Sequence, residues 1–163
     1  MQTHTRLHPF VAGAMLLALG AVALPGVAHA HNISETATVG RYTITLKVLP
    51  AESFTGFNAQ MIPDSGAAPY LLNGDDGPNH HLVAFVTRNG KTVEHARVAI
   101  SYIDDPAAGG TWTKLPVVRM HVAGRGLATT HYGNNVALSP GVYGVRVSVN
   151  GSAPASFRFS VGG

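Results

Sequence analysis

The chain contains no cysteine, and only 12% of its 163 residues are charged. Without thiols there are no disulfide bonds, no thiolate metal site, no cysteine nucleophile and no attachment point for a lipoprotein anchor. The formal net charge of +3 is small and scattered, which argues against nucleic acid as a partner. The apolar core alone must therefore hold the fold together.

A membrane-spanning stretch is also missing, because the apolar run over residues 11–24 is too short for a transmembrane helix. This run follows a basic start and ends at Pro25, and Ala28 and Ala30 fit the small-x-small rule for a cleavage site. These features predict a signal peptide over residues 1–30 that is cleaved after Ala30. They also predict a periplasmic protein with a single domain over residues 31–163, which is not inserted in a membrane after cleavage.

The sequence has no convincing 3.6-residue apolar period and no internal repeat. Alternation with period two dominates: Tyr42, Ile44 and Leu46 alternate with threonines, which is typical of a half-buried strand. Further strand-like runs are "HHLVAFV", "TVEHARVAISYI", "TWTKLPVVRMHV", "VYGVRVSV" and "ASFRFSV". About seven short strands predict an all-β fold, namely an immunoglobulin-like or cupredoxin-like antiparallel β-sandwich. Residues 61–79, rich in Pro, Gly and Asp, predict a long surface loop.

Asn89-Gly90 lies between two strand-like runs, which predicts a two-residue hairpin with a type I′ turn. Extending that register outward puts His81 and Phe85 on one face with apolar residues of the following run. We expect this face to be the core face, so that His81 points inward while His80 and His95 point outward. A one-residue bulge would reverse the two faces.

In the absence of cysteine, histidine and methionine supply the imidazole and thioether ligands that the sequence can offer a metal ion. Thioether and imidazole ligands together suit copper, especially Cu(I), and other late transition metals. The candidate metal ligands are His81, Met120 and His131, with His121 and His80 as auxiliaries. Strand alternation places Met120 and His121 on opposite faces, so only one of them faces a given site. The alternative interpretation is that the histidines bond backbone groups and that Met120 fills the core.

A second copper hypothesis concerns His31, which would be the first residue after cleavage at Ala30. A free α-amine and its own imidazole can together chelate Cu(II), as an oxidative copper enzyme would require. Other catalytic signatures are weak: there is no Gly-x-Ser-x-Gly motif, and Asp75-Asp76 and Asp104-Asp105 stand in loop-like sequence. We therefore expect that the protein is not an enzyme, with the His31 enzyme as an alternative.

The stretch "MHVAGRGLATTHYGNNVALSPGVYGVRVSV" resembles the end of the periplasmic high-affinity iron-transport protein family. Those proteins have a Met-containing strand, a short loop, a His-Tyr-Gly and a Gly-x-Tyr-x-Val strand. "HHLVAFVTRNG" is similar to the family's His-Leu-x-Ala strand. The resemblance implies an immunoglobulin-like homodimer, an inner-membrane metal permease as partner, and a site that binds copper and handles iron. His81 then matches the strand His, Met120 the Met ligand and His131 the loop His.

Two positions depart from the family's pattern on the first of these strands. The pattern has an acidic residue two positions after the strand His and a second His six positions after it. This sequence has Val83 and Thr87 there. The strand therefore lacks the oxygen ligand that the pattern would place on it.

These observations predict a periplasmic metal-binding protein of metal transport or homeostasis. It would carry or buffer a copper ion, with iron as the second choice. A metal-free β-sandwich interaction module of the cell envelope is the alternative, and it predicts that His81 and His131 lie far apart. The separation of these two side chains therefore distinguishes the two hypotheses.

Overall fold

The computed structural model describes residues 33–54 and 77–162 of the chain. The predicted signal peptide, His31, Met61 and most of the predicted surface loop lie outside these ranges. Within them, no helix is long and apolar enough to cross a membrane.

The described residues form ten strands and one short 3₁₀ helix, Leu127–Thr129. The strands are β1 (Ile33–Val39), β2 (Tyr42–Pro50), β3 (His80–Arg88), β4 (Lys91–Thr92), β5 (Val98–Asp104), β6 (Thr113–Leu115), β7 (Val118–Met120), β8 (His131–Val136), β9 (Gly141–Val149) and β10 (Ala155–Val161). Seven of them have six to nine residues, and β4, β6 and β7 have two or three. All pairings are antiparallel, so the predicted all-β fold is confirmed.

The strands form two sheets that enclose one apolar core. One sheet has the order β1-β2-β3-β8-β7, with β4 paired to β3, and the other has the order β10-β9-β5-β6. Ile44 and Leu46 of the first sheet and Val145 and Val147 of the second are fully buried in the same cluster. Burial of each such side chain contributes about 1.5–3 kcal/mol, which is the main stabilisation available to a chain without disulfides.

The hairpin turn is confirmed, but the register that we predicted beyond it is wrong. Asn89 and Gly90 have φ of 52° and 74°, as a type I′ turn requires. The β3–β4 pairing ends at Thr87 and Thr92, after which the chain crosses to the other sheet as β5. His95 therefore does not lie on a strand beside β3.

The two faces of β3 are consequently the reverse of the prediction. Strand β3 lies between β2 and β8, and Leu82, Ala84 and Val86 belong to the core cluster. His81 and Phe85 have the opposite parity and lie on the outer face of the sheet. The expectation that His81 points into the core is wrong, although its side chain is fully buried on the outer face.

Strands β3 and β8 approach each other closely at Gly133, which pairs with Val83. A Cβ atom at Gly133 would lie 2.1 Å from the Leu82 carbonyl oxygen and 2.7 Å from Val83 Cγ1. Glycine is therefore required where the two strands carry the residues of the outer face. This pairing places His81 opposite Asn135 and brings His131 to the same face.

Candidate metal centre

Three donor side chains from neighbouring elements meet on the outer face of the first sheet. Glu52 follows the end of β2, His81 is the second residue of β3, and His131 is the first residue of β8. One donor atom from each lies within 4.8 Å of those of the other two. The two imidazole rings are 5.8 Å apart between centroids and meet at 89°. The separation that a metal-free module predicts for the two histidines is therefore not observed.

One nitrogen of this cluster is buried without a partner. His81 is 0% exposed and His131 is 4% exposed, whereas the Glu52 side chain is 50% exposed. Within residues 33–54 and 77–162, His81 Nε2 is the buried side-chain polar atom that lacks a hydrogen bond. Leaving such an atom without a hydrogen bond costs about 1–3 kcal/mol. A ligand bound to its lone pair would remove this cost. Glu52 Oε2 lies 3.8 Å away, which is beyond hydrogen-bond distance.

Hydrogen bonds at the other ring nitrogens assign the tautomers of both histidines. His131 Nδ1–H donates to the Thr129 carbonyl at 2.9 Å, which leaves the Nε2 lone pair of this ring available. His81 Nδ1 lies 2.9 Å from the Asn135 side-chain oxygen, an acceptor, so the proton of this ring is on Nδ1. Both rings therefore offer Nε2 as an unprotonated donor atom to an ion.

Asn135 also fixes the backbone of Glu52. The Glu52 N–H donates to Asn135 Oδ1 at 3.1 Å, and Asn135 Nδ2 donates to the Glu52 carbonyl at 2.8 Å. These two bonds leave the amide a single orientation, because only its oxygen can accept and only its nitrogen can donate. The Ala51 N–H donates to the Asn79 carbonyl and holds the same segment from the other side. The backbone of Glu52 is thus held beside His81 by part-buried hydrogen bonds.

Both imidazoles are held in the neutral form that a metal ion needs. Burial lowers the pKa of His81 from the usual 6.5, against the raising effects of Glu52 and Asn135. Burial also lowers the pKa of His131; the Thr129 hydrogen bond and Glu52 raise it, while the nearby charges of His121 and Lys47 lower it further. At neutral pH both rings therefore carry free Nε2 lone pairs.

An aromatic ring forms one wall beside His131. The Phe85 ring stacks on the His131 ring with centroids 4.9 Å apart and an interplanar angle of 28°. Lys47 Nζ lies 4.9 Å from the centroid of the Phe85 ring. Phe54 packs edge-on against His81, with centroids 5.8 Å apart. The rings restrict the orientation of both imidazoles and separate them from water.

The other sequence-predicted residues lie at different distances from this cluster. Met120 pairs with His131 across β7 and β8, so it shares the outer face with the cluster and is half-buried. His121 is exposed beyond the end of β7 and is close enough to His131 to lower the pKa of that ring. His80 shares the core-facing side of β3 with Leu82, and its Nδ1 is paired with Asn79 Oδ1 at 2.7 Å.

The structure therefore groups His81, His131 and Met120 on the outer face of the first sheet, whereas His80 lies on the opposite face.

The residue that sequence reasoning missed is Glu52. The family pattern places its acidic residue on the strand of His81, where this chain has Val83. Here a carboxylate comes instead from the end of the neighbouring strand, because β2 and β3 are antiparallel and Pro50 pairs with His80. The β2–β3 pairing would have been the signal, but nearly thirty residues separate these strands in the sequence.

The donor set fits a transition-metal ion with a small adjustment. Donor atoms that bind one ion at bond lengths near 2.1 Å lie about 3–4 Å from one another. The three donor atoms here lie within 4.8 Å of one another, which is slightly wider. Glu52 is exposed and outside a strand, so its side chain has room to move toward a shared ion. Two imidazoles and one carboxylate, with a thioether on the same face, suit copper and iron and do not suit calcium or magnesium.

Fold and cluster together define a small antiparallel β-sandwich with a histidine–carboxylate cluster on the outer face of one sheet. No protein-family model and no curated protein matches the chain.

Solved structures share the fold. FetP of uropathogenic Escherichia coli strain F11, expressed in the periplasm, superposes with a TM-score of 0.57 at 14% identity, covering 82% of this chain and 96% of FetP. A copper-bound variant of FetP gives 0.53 at 12% identity, with 79% and 95% covered. The copper-reconstituted P19 protein of Campylobacter jejuni gives 0.50 at 11% identity, with 80% and 94% covered. At these identities the likeness establishes a common fold.

Proposed function

We propose that this chain is a periplasmic metal-binding protein that carries or buffers a copper ion at His81, His131 and Glu52, with Met120 as a further ligand. The observation that carries the proposal is the buried, unpartnered Nε2 of His81, which lies beside a second buried imidazole and a carboxylate. Side chains from three elements that are distant in sequence converge there. A structural role does not require that convergence.

The chemistry of the ligands favours copper and admits iron. Imidazole nitrogens suit both metals, and divalent first-row ions follow an affinity order that peaks at Cu²⁺. A thioether at Met120 favours Cu(I), whereas the Glu52 carboxylate favours Cu(II) or Fe(II). Iron is the second candidate because two histidines and one carboxylate form the ligand set of many non-haem Fe(II) sites.

The fold supports this proposal, since copper-bound structures are known for FetP and for P19. A periplasmic location, an inner-membrane permease as partner, a homodimer and the absence of enzymatic activity belong to the proposal as expectations from the sequence. The oxidative copper enzyme that would use His31 is the competing expectation, and its key residue lies outside the described residues.

Metal titration of the purified mature protein tests the proposal. Cu(I), Cu(II) and Fe(II) are titrated in turn by calorimetry, with chelator competition where binding is tight. We expect at least one of the copper ions to bind below micromolar concentration. Weaker binding of all three ions would refute the proposal.

Variants of the same protein localise the site. His131→Ala removes a proposed ligand and should weaken binding of the tightest ion strongly. His95→Ala is the matched control, because His95 is exposed and contacts Arg119, away from the cluster. Equal binding by wild type and His131→Ala would place the ion elsewhere.

A further inference from the structure

We propose that Asn135 is the positioning residue of the metal centre: its side-chain amide keeps the proton of His81 on Nδ1 and anchors Glu52 beside the same ring. This inference rests on the proposed function, since it concerns the same three ligands. Asn135 is fully buried and lies opposite His81 in the β3–β8 pairing.

The His81 ring stands between two oxygen atoms, of which the Asn135 oxygen alone is within hydrogen-bond distance. Asn135 Oδ1 lies 2.9 Å from Nδ1, and Glu52 Oε2 lies 3.8 Å from Nε2. A neutral imidazole has one N–H to donate, so the proton bonds either Asn135 or Glu52. A proton on Nε2 would occupy the lone pair that an ion requires, and it would turn Glu52 from a ligand into a hydrogen-bond partner. The closer and better placed acceptor is Asn135, which leaves Nε2 free.

The same amide determines where the carboxylate stands. Its oxygen and nitrogen bond the Glu52 N–H and carbonyl at 3.1 Å and 2.8 Å. One side chain therefore sets the protonation site of one ligand and the position of a second. A residue that only fills space could be replaced by any side chain of the same size. Asn135 could not, because both its oxygen and its nitrogen make the contacts that position the ligands.

The molecule contains a matched control for this arrangement. Asn79 accepts from the Leu138 N–H and donates to the Leu138 carbonyl, both at 2.9 Å, and its Oδ1 lies 2.7 Å from His80 Nδ1. It is thus a second amide that pairs with a backbone and contacts a histidine, outside the cluster. Removing Asn79 should cost similar hydrogen bonds without changing His81.

The first test measures the tautomer in the metal-free protein. Nitrogen-15 imidazole spectra at pH 8 should show His81 protonated at Nδ1 in wild type and in Asn79→Ala. In Asn135→Ala the proton should move to Nε2, where Glu52 accepts it. An Nε2–H tautomer in wild type, or an unchanged tautomer in Asn135→Ala, would overturn the inference.

The second test measures metal affinity in the same variants. Loss of such an outer partner typically weakens binding by about 10- to 100-fold, so Asn135→Ala should show a loss in this range. Asn79→Ala should bind like wild type. Asn135→Asp retains an acceptor for His81 Nδ1–H but loses the donor to the Glu52 carbonyl, so it should keep the Nδ1–H tautomer and recover only part of the affinity. No recovery, despite a folded Asn135→Asp protein, would contradict the positioning role.

The two tests separate this inference from the proposed function. If no ion binds but the tautomer shifts as stated in Asn135→Ala, the proposed function fails and the control of the His81 proton by Asn135 stands. If ions bind tightly in wild type and the tautomer is unaffected by Asn135→Ala, the metal site stands and the positioning role fails. Calorimetric unfolding of all variants shows which of them remain folded for comparison.

Discussion

His80 and His81 are consecutive residues of one strand, and each has an asparagine at its Nδ1. Asn79 contacts His80 and pairs with the Leu138 backbone, while Asn135 contacts His81 and pairs with the Glu52 backbone. Local chemistry is therefore nearly the same at both rings. They differ in the face of the sheet on which they lie.

The face decides what else each ring meets. His81 is fully buried beside His131 and Glu52, and its Nε2 makes no hydrogen bond within the described part of the chain. His80 is half-buried at the end of the opposite face and belongs to no cluster of metal-binding groups among the described residues. A histidine becomes a candidate ligand through convergence with other donors, and its residue type and nearest partner do not suffice.

Gly133→Ala should have the largest effect, because it would separate β3, which carries both rings, from β8. The Cβ of Gly133→Ala would lie 2.1 Å from the Leu82 carbonyl oxygen, so β3 and β8 must move apart. We expect a loss of about 3 kcal/mol or more in the free energy of unfolding, at the upper end for overpacking. Urea unfolding measures it, with Gly162→Ala as the control, because nothing lies within 4 Å of a Cβ there. Equal stability of the two variants would contradict the close approach.

Removing each ring in turn tests the comparison directly. His81→Ala should lower the affinity for the tightest ion by more than about 100-fold, since loss of a ligand exceeds the loss of an outer partner. His80→Ala should leave the affinity within experimental error of wild type. Chelator competition on both variants gives the two constants. A similar loss of affinity in both variants would mean that the metal ion does not bind specifically on the outer face that carries His81.

Glu52→Gln sharpens the comparison by removing one charge from the side of His81. The amide keeps the size of the side chain but loses its charge, so binding of Cu(II) or Fe(II) should weaken by about tenfold. Binding of Cu(I) should change less, because Cu(I) prefers imidazole and thioether donors. The ratio of the Cu(II) and Cu(I) constants is the measurement. Unchanged constants for Cu(II), Fe(II) and Cu(I) would exclude Glu52 as a ligand.

The smallest effect concerns pH. Burial lowers the pKa of both His81 and His131 below 6.5, so the unfolded chain binds more protons than the folded chain as pH falls below this value. Stability should therefore be complete above about pH 6.5 and should decline below it, by up to about 1.4 kcal/mol per pH unit for each ring. Unfolding curves between pH 7.5 and 5 measure this slope.

Replacing the two buried rings tests the origin of that slope. The double variant His81→Ala/His131→Ala should be less pH-dependent than wild type, whereas His80→Ala should keep the wild-type slope. If the slope survives in the double variant, other groups cause it. Metal affinity should fall over the same range, because protons compete for the ligand nitrogens.

The sequence predicts the elements whose signals are local. Period-two alternation locates β2, and Asn89-Gly90 identifies the hairpin turn, because strand burial and positive φ are decided within a few residues. The faces of β3 are not predictable this way. They depend on pairing with β2 and β8, which are distant in sequence, while the hairpin register holds only to Thr92.

The residues of the candidate site also fall into two groups, those that the sequence predicts and those that it does not. His81 and His131 are recognisable from residue type and from the family resemblance. Glu52 and Asn135 are not, because their roles come from strand adjacency and from an amide whose orientation only three-dimensional contacts reveal. The Glu52 carboxylate comes from beyond the end of the neighbouring strand, which one-dimensional motif comparison cannot detect.

The hydrogen bonds that orient the two rings are supplied by the protein itself, through the Thr129 carbonyl and the Asn135 amide. An ion that binds here would not have to assemble its own site, unlike in small zinc domains, where the metal drives folding. Glu52 is the exposed one among the two histidines and the carboxylate, so on the proposed function we expect its side chain to move most when an ion binds or leaves. Release of the ion to a partner would then leave the two buried rings and the surrounding sheet in place.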